Sequence, residues 1–354
     1  MKYIGLDLHA KSFRVAVLDG RGRWVWEQTY ATSGDELVRV VQAVAGRKCV
    51  VLEESTMAAW AYRVLAPHAD RVVVADPCAN RWIAGDENMN DAVAARKLAE
   101  LLRAGLIQAV HHAPEERQLF KELVLLYHDT SHELGRAKSK LKAKFRQHGV
   151  SCEGSRVYGR ADREAWLARV PARAARQQLS WLLERIDFLA EQKAEIRREV
   201  ARQARAFPEM ARFDAVPGIG LIRAATFFAV VDTPHRFARR SKLWTYCGLG
   251  IVRSQSGESA GPEHLTRRGN RLLKDAVKGA ALSAVVQGDN PFARQQEQLL
   301  RQGVSPERAW LTGSRSMAST LWAMWRKDEP YRPRDGQRPP ATGRRPKART
   351  RQAA

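Results

Sequence analysis

An alternating apolar run from Lys2 to Leu8 opens the chain and sets an aspartate, Asp7, inside what reads as a β-strand. A second strand-like run, Ser12 to Leu18, follows at once, and Asp19, Gly20, Arg21 and Gly22 supply a turn beyond it. A carboxylate in the middle of a sheet is costly unless it is paired, hydrogen-bonded or bound to a cation. Any fold of this chain must therefore bring something to Asp7, and the later sequence is read with that requirement in mind.

Residues 1 to about 110 continue the pattern. A third strand is expected near 23–30, a helix near 34–45, a strand at Cys49–Glu53, a helix near 57–66, a strand at Arg71–Ala75 and a helix from about Asp91 to Ala104. Three strands in hairpin succession, then helices alternating with strands, predict a mixed sheet with helices on its faces. That is the element order of an α/β ribonuclease-H-like domain.

Charge narrows the partner. Sixty Lys plus Arg against 38 Asp plus Glu leave +22 over 354 residues, which points to a polyanion, with nucleic acid the first candidate and an anionic membrane surface the alternative. The chain contains no run of about 18 apolar residues and no basic, apolar, small-residue order at its start, so no membrane partner is expected and the cytoplasm or nucleoid is the default. The hydrophobic fraction, 44%, is ordinary for a folded protein of two or three domains. Cys49, Cys78, Cys152 and Cys247 are spaced too widely for a short zinc motif or a disulfide framework.

Past residue 110 the pattern turns helical. From Glu115 to His148, Leu119, Leu123, Leu126, Leu134, Ala137, Leu141 and Phe145 recur near a 3.6 period. Between them lie Arg136, Lys138, Lys140, Lys142, Lys144 and Arg146, with no acid after Glu133, so phosphate contact is preferred to a merely solvated face. Residues 149–162 read as a connection. From Leu179 a second long helix carries Leu182, Ile186, Leu189, Ile196 and Val200 on a heptad seam broken by Lys193, which fits either an internal helical hairpin or a coiled-coil contact between protomers.

A third region follows Pro208. Val216, Pro217, Gly218, Ile219 and Gly220 stand between two helical stretches and resemble a helix-hairpin-helix turn, where glycines let backbone N–H groups approach a phosphate. A tight turn between packed helices explains the same pattern equally well, and the basic balance of the chain tips the reading towards phosphate. An apolar helix is expected at about 221–231, then an aromatic stretch from Lys242 to Ile251 and a polar loop from Arg253 to Ser259. Helices at about 271–286 and 306–326 follow, the latter with Trp310, Trp322 and Trp325 as core anchors. From Lys327 onward nine Lys or Arg face three acids among prolines and glycines, so 328–354 is expected to be a disordered basic tail. The domain organisation is thus 1–110, an α/β domain; 111–208, long helices for oligomerisation and nucleic-acid contact; and 209–327, a mostly α domain.

Phosphoryl transfer on nucleic acid draws on hard divalent cations held by carboxylates from separate elements. Asp7, Glu53 at the end of the strand Val50–Glu53, and Asp91 at the start of the following helix all stand at element ends in one domain. Glu53 also reads as a loop residue and Asp91 as a helix-start acid, whereas Asp7 has no such ordinary role.

At these residues the chain resembles a family. Gly5 to Lys11, Leu52 to Thr56, Ala75 to Pro77 and Asn90 to Leu101 are similar to the RuvC-like N-terminal domain of the DEDD insertion-sequence transposases, which include pilin-gene-inverting and bridge-RNA-guided recombinases. Val216–Gly220, Tyr246–Leu249, Ser256 with Gly257, and Thr266–Asn270 resemble that family's C-terminal transposase domain. The resemblance runs in order over roughly residues 1–330. It implies a Mg²⁺ site of two ions on Asp7, Glu53 and Asp91, and a serine nucleophile that forms a phosphoserine link to DNA. The family's serine precedes a glycine, which selects Ser256 over Ser254 and Ser259. It further implies nucleic-acid contacts at Arg267 and Arg268, donor and target DNA, a structured non-coding guide RNA, and homodimers assembling into homotetramers. One departure stands out: the second aspartate of the family's Asp-x-x-Asp motif is Ala94 here, and alanine cannot ligate. The expectation is a metal-site-impaired chain that still binds nucleic acid. A metal-only nuclease of the junction-resolvase kind and a non-catalytic nucleic-acid-binding relative are the rival readings.

Overall fold

The computed structural model describes residues 1–77, 91–256 and 259–333, with side chains throughout except at 91–92 and 253–262. The chain divides into two units, Met1–Glu115 and the residues from Glu116 onward.

The first unit is a six-stranded mixed sheet with helices on both faces. Its elements are β1 (Lys2–Leu8), β2 (Ser12–Leu18), β3 (Trp24–Ala31), α1 (Gly34–Ala43), β4 (Lys48–Glu53), α2 (Ala58–Leu65), β5 (Arg71–Ala75), α3 (Asp91–Ala104) and β6 (Ala109–Val110). Strand order is β3-β2-β1-β4-β5-β6. The first three strands form an antiparallel meander, β4 and β5 run parallel to β1, and β6 closes the far edge antiparallel. The period-2 alternation of side chains decides what each face buries. Ile4, Leu6, Val50, Leu52 and Val74 form one core with Leu37 and Val41 of α1 and Ala58, Ala61 and Leu65 of α2. Val51, Val73 and Ala75 point to the opposite face and pack against Leu98 of α3. Ser33 opens α1 as an N-cap, its hydroxyl accepting from the Glu36 amide.

The second unit comprises α4 (Glu115–Gln147), α5 (Arg163–Ala168), α6 (Arg173–Gln203), α7 (Pro208–Asp214), α8 (Leu221–Val231), α9 (Arg240–Tyr246), the hairpin β7 (Ile251–Ser256) and β8 (Ser259–Leu265), α10 (Arg271–Gln287), α11 (Pro291–Arg301) and α12 (Pro306–Lys327). Most of the heptad seam of α6 is buried inside the chain: Leu179, Ile186 and Leu189 share a core with Leu134, Ala137, Leu141 and Phe145 of α4, with Leu183 in that core in place of the expected Leu182, which is half-buried at its edge. Lys193, which interrupts the seam, lays its amine 5.2 Å from the centre of the Tyr127 ring, so the break is bridged by a cation–π contact. The helix begins at Arg173 rather than near Leu179, because Ala175 already faces the core.

Phe120 and Val124 of α4 and Ile196 and Val200 of α6 also join a second core, built on Phe227 and Phe228 of α8, Leu273 and Val277 of α10, and Met317, Leu321 and Trp325 of α12. The long helices and the C-terminal helices are therefore one unit, tied by apolar burial shared across the boundary expected at residue 208. Trp325 is buried and its indole N–H donates to Glu209, while that of Trp322 donates to the Pro234 carbonyl, so both act as core anchors. The residues beyond 333, expected as a disordered tail, lie outside the described residues. No helix among the described residues is long and apolar enough to cross a membrane.

Candidate active site

Pairing register brings Asp7 and Glu53 together. β1 and β4 are parallel neighbours with Gly5 opposite Val51 and Leu6 opposite Leu52, so the next positions along, Asp7 and Glu53, fall side by side at the C-terminal ends of their strands. Both share the sheet face of Gly5 and Val51, the face that α3 covers. Burial, and after it the nearby Asp7 carboxylate, push the Glu53 carboxyl above its ordinary value. Two like charges held this close in a half-buried edge are the donor set that a hard divalent cation fits.

Gly5 sets how α3 meets this edge. A Cβ there would lie 2.0 Å from the Ala95 carbonyl oxygen and 2.8 Å from the Ala99 amide, so the helix backbone rests directly on β1. The helix runs antiparallel to the strand: Arg103, near its C-terminus, reaches Gly22 in the β2–β3 turn, which lies at the N-terminal end of β1. Its N-terminus, where Asp91 starts the helix and Ala94 stands one turn along, therefore points towards the Asp7 and Glu53 edge. The Asp91 side chain lies outside the described ones, as do Asp86 and Glu87 upstream. Among the described residues no three His, Cys, Asp or Glu converge as a metal group.

Side chains around the edge are held by ion pairs that sequence reasoning missed. Arg14, opposite Asp7 in register, donates to Glu27 at 2.9 Å, and Arg96 of α3 grips the same carboxylate through two bonds of 2.5 and 2.7 Å. This Arg–Glu–Arg bridge locks α3 to the meander and keeps the Glu27 carboxyl below its usual range, Arg96 being the larger cause. His112 places its Nε2 2.9 Å from Glu54 and stacks on Tyr62 at 5.2 Å, which fixes the loop that follows Glu53. His9 lies 3.3 Å from Asp7. Only Asp7 and Glu54, charged residues at or just past strand ends, carried a signal in the sequence, whereas Arg14, Glu27 and Arg96 lie inside their elements.

Within the second unit, Ser256 is the last residue of β7 and pairs with Ser259 across the hairpin. Its side chain, like those of Ser254 and Ser259, lies outside the described ones, and so does Gly257. The base of the hairpin is explicit. A Cβ on Gly269 would sit 2.1 Å from the Cα of Gly248, so the Tyr246–Leu249 and Thr266–Asn270 motifs cross backbone on backbone where only glycine fits. The Thr266 amide donates to the Gly250 carbonyl, the Asn270 amide to that of Tyr246, and the Asn270 side chain caps α10. Arg267 and Arg268 stand exposed on this knot.

The glycines of the Pro-Gly-x-Gly turn separate. Gly218 has φ +81°, gives its N–H to the Gln287 side chain at 2.9 Å, and would drive a Cβ to 2.1 Å from the Ala280 carbonyl oxygen. Packing of α10 accounts for it, and its amide is already bonded. Gly220 is open and caps α8 without a side-chain bond, at a cavity of about 460 Å³ lined by His128, His132, Arg197 and Arg223. The basic face of α4 also divides. Lys138 and Lys142 turn their amines to the Tyr158 ring, 5.0 and 5.5 Å from its centre, and Lys142 donates to the Gly154 carbonyl. Arg136, Lys140 and Arg146 are exposed, and Lys144 is half-buried.

Comparison with known proteins agrees with this arrangement. Residues 4–149 match the model of the IS110-type DEDD transposase, and residues 210–297 that of the transposase IS116/IS110/IS902 family. An uncharacterized 43.6 kDa protein of insertion element IS110 from Streptomyces coelicolor is 28% identical over 144 residues, covering 41% of this chain and 35% of that protein. A transposase for insertion sequence element IS1111A from Coxiella burnetii is 25% identical over 138 residues, covering 38% of this chain and 37% of its own. The chain thus spans little more than a third of the length of these curated relatives. With one model of the family over its α/β unit and a second over its C-terminal helices, the chain belongs to the DEDD-type insertion-sequence transposases.

Proposed function

We propose that the chain breaks and rejoins DNA, with Ser256 as nucleophile and the edge formed by Asp7, Glu53 and Asp91 as the site of a divalent cation, Mg²⁺ being the natural choice for all-oxygen donors. The observation that supports this most is the meeting of Asp7 and Glu53 on one face at the ends of parallel strands, under the helix that Asp91 begins. When bound there, the cation would supply charge stabilisation to a phosphate and to the oxygen leaving it. The serine step balances without an external energy source. The Ser256 oxygen bonds to phosphorus, the phosphodiester bond to the departing strand breaks, and the serine proton ends on the freed strand hydroxyl. Attack by another strand's hydroxyl reverses the step and reseals the DNA. Exposed cations at Arg136, Lys140, Arg146, Arg267 and Arg268 would hold phosphates of the bound nucleic acid. A structured guide RNA and a dimer-to-tetramer assembly belong to the same reading, as do the coiled-coil role of α4 and α6 and a phosphate at Gly220. Ala94 leaves the cation one carboxylate short, and so lowers activity without removing DNA binding.

The test compares the chain with its Ala94→Asp variant, each given Mg²⁺, DNA carrying the element's junction and RNA transcribed from the flanking non-coding sequence. A covalent protein–DNA adduct mapped by mass to Ser256, stronger in Ala94→Asp, is expected. Strand nicks without any adduct would replace this reading with a metal-only nuclease. Binding with neither nick nor adduct would leave a non-catalytic relative.

A further inference from the structure

A groove of about 980 Å³ runs between α9, α11 and α12, and its lining includes neither the carboxylates nor Ser256. Five cations line it, Arg240, Arg294, Arg315, Lys327 and Arg332, against one acid, Glu329. Two of these guanidiniums are fixed in place: Arg240 and Arg315 lie 5.6 and 5.3 Å from the centre of the Trp244 ring, and the Trp244 indole is itself anchored to Ser319 at 2.9 Å. A preset guanidinium loses little freedom on meeting a phosphate.

The floor asks for something different from a phosphate. Thr312, Ser316 and Thr320 follow one another at four-residue spacing along α12, hence about 6 Å apart. The Thr312 and Thr320 hydroxyl protons are given to the Arg308 and Ser316 carbonyls, so the lone pairs facing the groove can only accept. An occupant fits that presents an O–H or N–H to Thr312 and to Thr320, about 12 Å apart, and a negative charge alongside, while the Ser316 hydroxyl between them can accept or donate. A ribose 2′-hydroxyl beside each phosphate does both, whatever the base, and deoxyribose does not. Gln295 and Gln298 on the opposite wall add amides that can meet base edges. A duplex, with its edges paired and its width fixed, would lie on a flat basic surface rather than enter a groove between helices. The chain's own residues 334–354, seven Lys or Arg against one acid, carry the same charge as the groove and would be repelled from it.

We propose that this groove seats a short single-stranded RNA segment, phosphates on the Arg240 and Lys327 rim and riboses along Thr312, Ser316 and Thr320. The proposal rests on the nucleic-acid reading above, but needs neither the serine step nor a cation, so its failure and that of the catalytic reading show separately.

The experiment measures binding of a labelled octaribonucleotide, its deoxy counterpart and a duplex DNA to the full chain. A Ser316→Leu, Thr320→Leu variant, which keeps every charge, is expected to lose about tenfold in RNA affinity with duplex binding and melting curve unchanged. Arg240→Ala should lower the salt slope for the octaribonucleotide by about 0.7. Should the double variant not fold, 4-thiouridine photocrosslinking of the unsubstituted chain decides: adducts within 240–244 or 291–332 are expected. Equal affinity for the deoxy octamer, unchanged RNA affinity in the folded double variant, or adducts confined to other segments would each overturn it.

Discussion

A methyl group at position 5 would collide with the backbone of α3, 2.0 Å from the Ala95 oxygen, and a helix backbone has no rotamer with which to yield. Gly5→Ala is therefore expected to lower stability by about 3 kcal/mol, measured by thermal or urea unfolding; a loss under about 1 kcal/mol would mean that α3 does not rest on β1 as described. Glu53 carries a different kind of strain. Its carboxyl is raised by burial and by Asp7, so the folded chain binds its proton more tightly than the unfolded chain, and stability falls as pH rises from the ordinary carboxylate range through the raised value. In metal-free buffer Glu53→Gln should melt higher than the parent at neutral pH. That advantage should shrink as acid protonates the parent's Glu53; melting points that stay parallel at all pH would show that neither burial nor Asp7 raises this carboxyl. Asp7 and Glu53 were legible in the sequence because a charge inside or just past an apolar strand is conspicuous. Gly5 was not, since a strand does not declare which helix will cross it, and neither was the Arg14–Glu27–Arg96 bridge, in which Glu27 and Arg96 are 69 residues apart.

The helical hairpin of α4 and α6 tests element packing. Ile186 is buried in the seam with Leu183 and Leu189, whereas Trp181 and Phe188 point outward, 60% and 62% exposed. Ile186→Ala should cost about 2–5 kcal/mol. Phe188→Ala should cost less than about 0.5 kcal/mol in the isolated chain at low concentration, and a reversal of that order in denaturant melts would place the seam on the wrong face. This seam was readable from its period alone, but its partner was not, because a heptad fits an internal helix and a second protomer equally. The Pro-Gly-x-Gly turn shows the opposite limit. Its glycine spacing suits a phosphate, yet the Gly218 amide is bonded to Gln287 and its missing side chain makes room for α10, and no local pattern could have shown that. The short helices α5, α9 and α11 escaped the sequence reading too. Asn290 and Pro291 are a regular cap and first-turn pair for α11, but six of its 11 residues are Arg, Gln or Glu, so no apolar run marked it.

At the scale of the molecule, the +22 charge is spread over several separate surfaces rather than one. Some of it is spent internally, as with Lys138 and Lys142 on Tyr158, while the exposed arginines of α4, the hairpin knot and the α12 groove remain for a polyanion. Sequence composition pointed to a polyanion and could not divide the cations between these roles, because burial is a property of the packed chain. The proposed catalysis rests on the edge where Asp7 and Glu53 face the start of α3, where Ala94 stands in the place of the carboxylate that the family resemblance implies. The most direct measurement is a Mn²⁺ titration followed by electron paramagnetic resonance on the parent, Ala94→Asp and Asp7→Asn chains. Weak binding in the parent, at least about tenfold tighter binding in Ala94→Asp and loss of the site in Asp7→Asn are expected. Affinity indifferent to both substitutions would contradict a metal site at this edge.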